Sequence, residues 1–267
     1  MLEKIEKKSK KIYFDAHFHQ KFSNFSPDFL NNFPNDENSS YLGCSCAHSI
    51  EEWDFQTTEN QKNNNLIICA FGIHPQQVTS DSLSNQIDFL EKLIANKELS
   101  AIGEMGFDYF SDDFKQFSSQ QEEIWNIQLE LAIKNELPII VHCRKANEKL
   151  FEYKKQLKKV YAVLFHSFMG TLIEANSLIK NDINCFFSFG KQIFNNNKKV
   201  IQCVKELPLN NLLLETDAPF QFLKNENQTY RDEISKIYKG ASDLRNCNLD
   251  YFCELLYTNA KRCFLFH

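Results

Sequence analysis

The stretch DAHFHQ, residues 15–20, places two histidines one residue apart at the end of a short apolar run. In a strand, alternate side chains share a face, so His17 and His19 point the same way with Asp15 beside them. Two imidazoles on one side make half of a metal site, and the rest of the chain offers the other half. His74 closes a run in FGIHPQ, Glu104 one in AIGEM, His142 one in LPIIVHC with Arg144 just after it, His166 one in VLFHS and Asp217 one in LLLETDAP. A single histidine at a strand end is ordinarily a hydrogen-bonded structural residue. Metal-competent side chains at the ends of six out of eight runs are hard to explain as packing, because gathering ionisable groups is costly unless something such as a cation pairs them. Imidazole and carboxylate donors without clustered thiolates suit Zn²⁺, Mn²⁺ or another divalent ion, with Mg²⁺ less favoured as histidines multiply. Four histidines with Glu104 and Asp217 exceed what one tetrahedral ion requires, so two divalent ions are expected, with Glu104 the natural bridge.

The elements that must carry these residues are legible as eight apolar runs: 12–18, 41–47, 66–73, 99–105, 137–143, 161–167, 183–189 and 211–217. Eight is the count that a closed barrel needs. Helical patterns lie between several of them. Leu83, Ile87, Leu90 and Ile94 fall on one face, and Ser119 with Glu122 reads as a capping box opening a helix that must stop before Pro138. Near-continuous apolar strands alternating with helices predict an α/β chain with a covered parallel sheet, a (β/α)8 TIM-type barrel. Residues 20–40 read as a polar loop after the first strand and 220–248 as a long polar excursion after the eighth, both on the face where barrels build their sites. No repeat or linker divides the chain, so residues 1–267 are expected to form one domain.

Composition narrows the function classes. A formal charge of −5 and a pI near 5.8 supply no global basic field of the kind that binds nucleic acid non-specifically, so any such contact must be local. The apolar fraction of 43% is ordinary for a globular chain, although 25 Phe against 7 Gly is not. The N-terminal MLEKIEKKSKK lacks the apolar core of a signal peptide, and no run approaches the roughly 20 apolar residues of a membrane span, so a cytoplasmic protein without a membrane partner is expected. The nine scattered cysteines, without a CxxC pair, read as small buried hydrophobes in a reducing compartment.

The blocks DAHFH, FGIHPQ, AIGEMGFDYF, LPIIVHCRKA, VLFHSFMG and LLLETDAPF, in this order and spacing, resemble the signature blocks of the TatD family of metal-dependent deoxyribonucleases, within the amidohydrolase-like barrels. The resemblance runs from about residue 12 to 219, with a weaker echo over 259–264. It implies a (β/α)8 barrel that hydrolyses phosphodiester bonds in DNA, often as an exonuclease acting on ends or single strands. Carried over by motif, His17, His19 and Asp217 would hold one ion, His142 and His166 the second, and Glu104 both; His74 and Arg144 would face the substrate phosphate. Asp217 is then the candidate proton acceptor or water orienter beside its ligand role, and Asp108 reads as a residue that orients a ligand. Phe18, Phe22, Phe107 and Tyr109, close to the ligand positions, are candidates for stacking on bases. After the DAP block the family has a basic segment in which Arg and Asn precede a Pro; here PFQFLKNENQTYRDEISKIYKG offers Arg231 without that triplet, which bears on substrate grip. The rival readings are a metal-dependent hydrolase of the same barrel acting on a small ester, amide or phosphoester, and a catalytically silent metal-binding scaffold. No protein partner is inferable from the sequence.

Overall fold

The structure, a computed structural model, describes residues 11–27, 39–62 and 67–266. Its strands are β1 (Lys11–Phe18), β2 (Ser39–Ala47), β3 (Ile67–Phe71), β4 (Ala101–Asp108), β5 (Ile139–Arg144), β6 (Val163–Phe165), β7 (Cys185–Phe189) and β8 (Leu212–Leu214). Each falls within or across one of the eight apolar runs. Among the described residues, helices follow seven of the strands: α1 (Ile50–Lys62), α2 (Leu83–Ala95), α3 (Asp112–Lys115), α4 (Ser118–Lys134), α5 (Asn147–Glu152), α6 (Lys154–Leu157), α7 (Leu172–Lys180), α8 (Lys198–Glu206), α9 (Ile234–Arg245) and α10 (Leu249–Cys263). The strands form one sheet in the order β1 to β8, every neighbouring pair parallel. The seam between β8 and β1 is spanned at the site end by Asp217 N–H donating to the His17 carbonyl and His19 N–H to the Ala218 carbonyl, both at 2.9 Å. This is the nearly closed (β/α)8 barrel that the alternation of runs predicts.

Two apolar layers hold it. Inside the barrel, every strand contributes: Phe14, Ala16, Cys44, Ala70, Ala101, Ile140, Leu164, Phe186 and Leu213 form one cluster with Ala260, Cys263 and Phe264. The last three come from α10 and the residue beyond it, and Leu265 N–H donates to the carbonyl of Ser100 just ahead of β4, so the C-terminal segment plugs the end opposite the strand termini. Outside, strands and helices pack through a second cluster that includes Phe71, Phe107, Trp125, Phe165, Phe187 and Tyr238. The high phenylalanine count goes largely into these layers, where each fully buried ring contributes roughly 1.5–3 kcal/mol. The cysteines behave as expected: all nine are unpaired, and seven are buried.

Three expectations need correction. Ser119 and Glu122 do not cap α4, which starts one residue earlier, with Gln121 N–H donating to the Phe117 carbonyl. Glu122 instead accepts from Tyr153 Oη at 2.8 Å and from Lys149 Nζ. A capping box does form at α7, where Thr171 and Glu174 hydrogen-bond reciprocally. The polar excursion over 220–248 contains α9, because Ile234, Ile237, Tyr238 and Ala241 share a buried stripe beneath the charged residues. The loop expected over 20–40 falls mostly outside the described residues; 39 and 40 already belong to β2.

The third correction concerns Asp15. Simple alternation puts it on the face of His17 and His19, but β1 carries a register shift between Asp15 and Phe18. Such a bulge re-aims the residues within it. Asp15 therefore braces the seam instead, accepting from Thr216 N–H at 2.8 Å, Thr216 Oγ1 at 2.6 Å and Tyr41 Oη at 3.2 Å. A second shift, between Ile102 and Met105, brackets Glu104 on β4. Next to it, Gly106 adopts φ 144°, and a Cβ there would lie 2.0 Å from the His142 carbonyl oxygen, so only glycine lets β4 approach β5 this closely.

Candidate metal centre

The strand ends converge. Six of the seven histidines of the chain surround the carboxylate of Glu104, and the seventh, His267, lies outside the described residues. On one side, Glu104 Oε2 lies 3.3 Å from His17 Nε2, 3.7 Å from His19 Nε2 and 3.2 Å from His48 Nε2. On the other, Oε1 lies 2.5 Å from His166 Nε2, 3.0 Å from His142 Nδ1 and 3.8 Å from His74 Nε2. Asp217 Oδ1 completes the first side, 3.5 Å from both His17 Nε2 and His19 Nε2. All of the residues named in the sequence as ligand candidates thus come together, as do His74 and Arg144. All of them except the fully buried His17 line a cavity of about 690 Å³ at the C-terminal ends of the strands, with Met169, Gln192 and Phe220 at its walls.

Neighbours fix the orientation of each group. His142 turns Nδ1 to Glu104 and its other nitrogen to Asp108 Oδ2 at 3.2 Å, and Asp108 also accepts from Gln76 Nε2 at 2.8 Å and Phe110 N–H at 2.9 Å. Glu215, whose Oε2 accepts from Ser188 Oγ, lies 3.7 Å from His166 Nδ1. Cys46 Sγ sits 3.2 Å from His17 Nδ1, which leaves Nε2 facing the carboxylates. Gln221 Nε2 donates to Asp217 Oδ2 at 2.7 Å. His74 Nδ1 accepts from Gln76 N–H at 3.2 Å, so the neutral ring carries its proton on Nε2 and presents a donor to the cavity.

The electrostatics are those of a site shaped for positive charge. Burial pushes Glu104 up, but His166 and His17 outweigh it and hold its carboxyl well below the ordinary range. Asp217 is likewise held low by His17 and His19 against burial. Burial lowers His17, yet Glu104 and Asp217 raise it well above its usual value, and His166 is raised to about 9 by the same opposition of burial and Glu104. His19 is lowered by burial, and His74 is driven well below its ordinary value by burial and the adjoining His142, so both remain neutral. Nitrogen lone pairs and two ionised carboxylates within reach of one another make a donor set that fits a divalent ion.

The sequence profile of the TatD related DNase family matches residues 14–265. The chain belongs to this family. The match extends past the blocks that end at residue 219 and takes in the C-terminal helices. Among relatives, an uncharacterized metal-dependent hydrolase of Bacillus subtilis, YabD, is 31% identical over 221 residues, 80% of either chain. The human 3'-5' RNA nuclease TATDN2 is 28% identical over 78% of this chain and 27% of its own. Among solved structures, the TatD homologue YjjV of Escherichia coli superposes with a TM-score of 0.79 at 26% identity, covering 94% of this chain and 97% of that one. No helix among the described residues is long and apolar enough to cross a membrane.

Within the TatD-related frame, some expectations move. Phe18 and Phe107 are fully buried core residues and cannot stack on a ligand. Tyr109 is partly buried against the core, whereas Phe22 is half-exposed. The exposed aromatic residues at the rim are instead Phe110, with the Arg144 guanidinium 4.0 Å over its ring, and Phe220, which packs edge-on to His19. Arg231 stacks on Phe25 at 4.3 Å and does not line the cavity. His48 escaped sequence reasoning altogether. The apolar run of β2 ends in Ala47, and His48 is the next residue, so the strand-end rule that found the others applies to it equally.

Proposed function

We propose that this centre hydrolyses phosphodiester bonds in nucleic acid, DNA being the expected substrate, and that it does so with two divalent ions. The reading assigns His17, His19 and Asp217 to one ion, His142 and His166 to the other, and Glu104 to both. The observation that carries it is the convergence of imidazoles on Glu104 in a cavity whose wall also holds the Arg144 guanidinium and the His74 N–H. Bound divalent ions supply Lewis acidity, which acidifies a water and neutralises charge on phosphoryl oxygens.

The chain's own residues do the rest. Asp217, ionised and held by Gln221, accepts a proton from the attacking water through a carboxylate oxygen. Arg144, 41% exposed in its side chain and steadied by Asp108 at 3.5 Å, pairs with a phosphate oxygen through its fork of donors. His74 donates from Nε2 to a second oxygen. Positive charge is thus concentrated at the reacting group, which lets a chain of net charge −5 hold a polyanion.

The test is hydrolysis of end-labelled single-stranded DNA, with RNA of the same sequence alongside, by chelator-stripped protein resupplied separately with Mg²⁺, Mn²⁺ and Zn²⁺. A metal-dependent ladder that disappears in His17→Ala/Asp217→Ala supports the reading, and the label position gives the polarity. Bound ions without cleavage of either polymer would overturn it in favour of a small ester, amide or phosphoester.

A further inference from the structure

The ligand set above uses four of the six imidazoles, and His74 is committed as a donor through its Nε2 proton. His48 is left over. Its main chain is tied at both polar atoms, N–H donating to Glu52 Oε2 at 3.0 Å and the carbonyl accepting from Gln86 Nε2 at 3.2 Å. Those two bonds fix the turn after β2 and point the ring inward, between His19 and His74, with centroids 5.0 Å from each. Its Nε2 stands 3.2 Å from Glu104 Oε2, no farther than the His17 and His19 nitrogens at 3.3 and 3.7 Å. That nitrogen is buried and has no hydrogen-bond partner. Buried polar atoms are nearly always hydrogen-bonded, so one that faces a carboxylate at 3.2 Å without a hydrogen bond stands as a ligand nitrogen would.

The donor geometry agrees. Nitrogen atoms of His19 and His48 and an oxygen of Glu104 all lie within 4.8 Å of one another, the compass of ligands around a single ion. We propose that His48 is a further ligand of the centre, closing with His19 and Glu104 around the ion on the His17 side. The contrast with His74 sharpens the assignment: His74 has spent its Nδ1 lone pair on Gln76 N–H and offers a proton, whereas the His48 Nε2 is uncommitted. An added imidazole draws the centre toward zinc-type and cobalt-type ions and away from Mg²⁺, which takes oxygen donors.

This inference rests on reading the rim as a metal centre, and the experiment separates the two. Ion-free protein labelled with [15N]histidine is titrated with Zn²⁺ and followed by NMR, while uptake by wild type and His48→Gln is measured by calorimetry. The expected result is a His48 Nε2 signal that moves into the metal-bound range together with that of His19, and a variant that takes up one of its ions at least tenfold more weakly. A His48 signal unmoved at saturation, with both affinities unchanged in the variant, overturns the assignment and leaves the metal centre standing. A wild type that takes up no ion overturns both. Should the variant not fold, the wild-type NMR titration decides alone.

Discussion

Among the described residues, a cluster of charge around the buried Lys191 and another around the buried Glu104 are built on opposite principles. Around Lys191, just after β7, one ammonium meets two carboxylates, those of Glu226 and Glu233, the latter at 2.9 Å. Both acids are also hydrogen-bonded to main chain, Glu226 accepting from Leu223 N–H at 2.7 Å and Glu233 from Tyr230 N–H at 2.9 Å. Every partner is supplied from within, and the result is that the segment after β8 is fastened to the end of β7. Around Glu104 the ratio is inverted. Six imidazoles crowd one carboxylate, nitrogens of His48 and His166 are left without hydrogen bonds, and burial of His17 and His166 is outweighed by the carboxylates they face, which raise both rings. A satisfied cluster holds the fold; an unsatisfied one is completed from outside.

The comparison is broken most directly by exchanging the consequences. Asp217→Asn keeps the shape and the hydrogen-bonding reach of the side chain but removes its charge and basicity. Hydrolysis is expected to fall by about 10²–10⁴-fold, the usual worth of a positioned proton acceptor. The denaturation midpoint of the ion-free variant is expected to stay near that of wild type, because neighbouring imidazoles can release their protons. Steady-state turnover and urea unfolding measured on one preparation check both halves; full activity with a ruined fold would erase the distinction between the clusters.

Lys191→Ala is the complementary break. It takes the buried ammonium away from two carboxylates whose side chains are 34% and 12% exposed, and losing charge-assisted hydrogen bonds of this kind costs about 1.5–3 kcal/mol. Chemical denaturation should register that loss, while turnover by the fraction still folded stays within a few-fold of wild type. A smaller effect is expected at Arg144, half in solvent and stacked on Phe110. Arg144→Lys keeps the charge but gives up the planar fork, so KM for an oligonucleotide is expected to rise by roughly tenfold with kcat little changed. An equal loss in kcat would move Arg144 from substrate grip to the reacting phosphoryl group.

How much of this could be read in the sequence depends on which interactions decide a residue's place. The eight strands were visible because each is a short apolar run, and burial on both faces requires one. Their terminal residues were visible for the same reason, since a polar side chain at the end of such a run has few places to go but the rim. What escaped is what two strands decide jointly. The bulges that turn Asp15 away and bring Glu104 in are matters of register between neighbours, and no pattern within one strand encodes them. Phe18 and Phe107 carry the same letter as Phe110 and Phe220, and only packing divides the buried pair from the exposed pair. α9 lay hidden under its charges, although the i, i+3, i+4, i+7 spacing of Ile234, Ile237, Tyr238 and Ala241 was there to be counted.

The smallest expected effect concerns a third closed set, the capping box at α7, which repeats the logic of the Lys191 cluster at the surface. Thr171 Oγ1 accepts from Glu174 N–H at 3.2 Å and donates to Glu174 Oε2 at 2.8 Å, and the same oxygen accepts from Thr171 N–H at 2.6 Å. Burial pushes the Glu174 carboxyl up, but the Thr171 N–H and hydroxyl outweigh it and hold the group below its ordinary value of 4.5. A carboxyl lowered in the folded state contributes stability that is present above the unfolded value and is lost as pH falls through the folded one. Thr171→Ala is therefore expected to cost about 1 kcal/mol at neutral pH. The gap between variant and wild type should narrow in urea titrations carried progressively below the ordinary carboxyl value of 4.5, as Glu174 takes up its proton and the reciprocal bonds weaken. A gap independent of pH would mean that the threonine acts through its hydroxyl alone, and that this set is held by a neutral cap where the Lys191 cluster is held by charge.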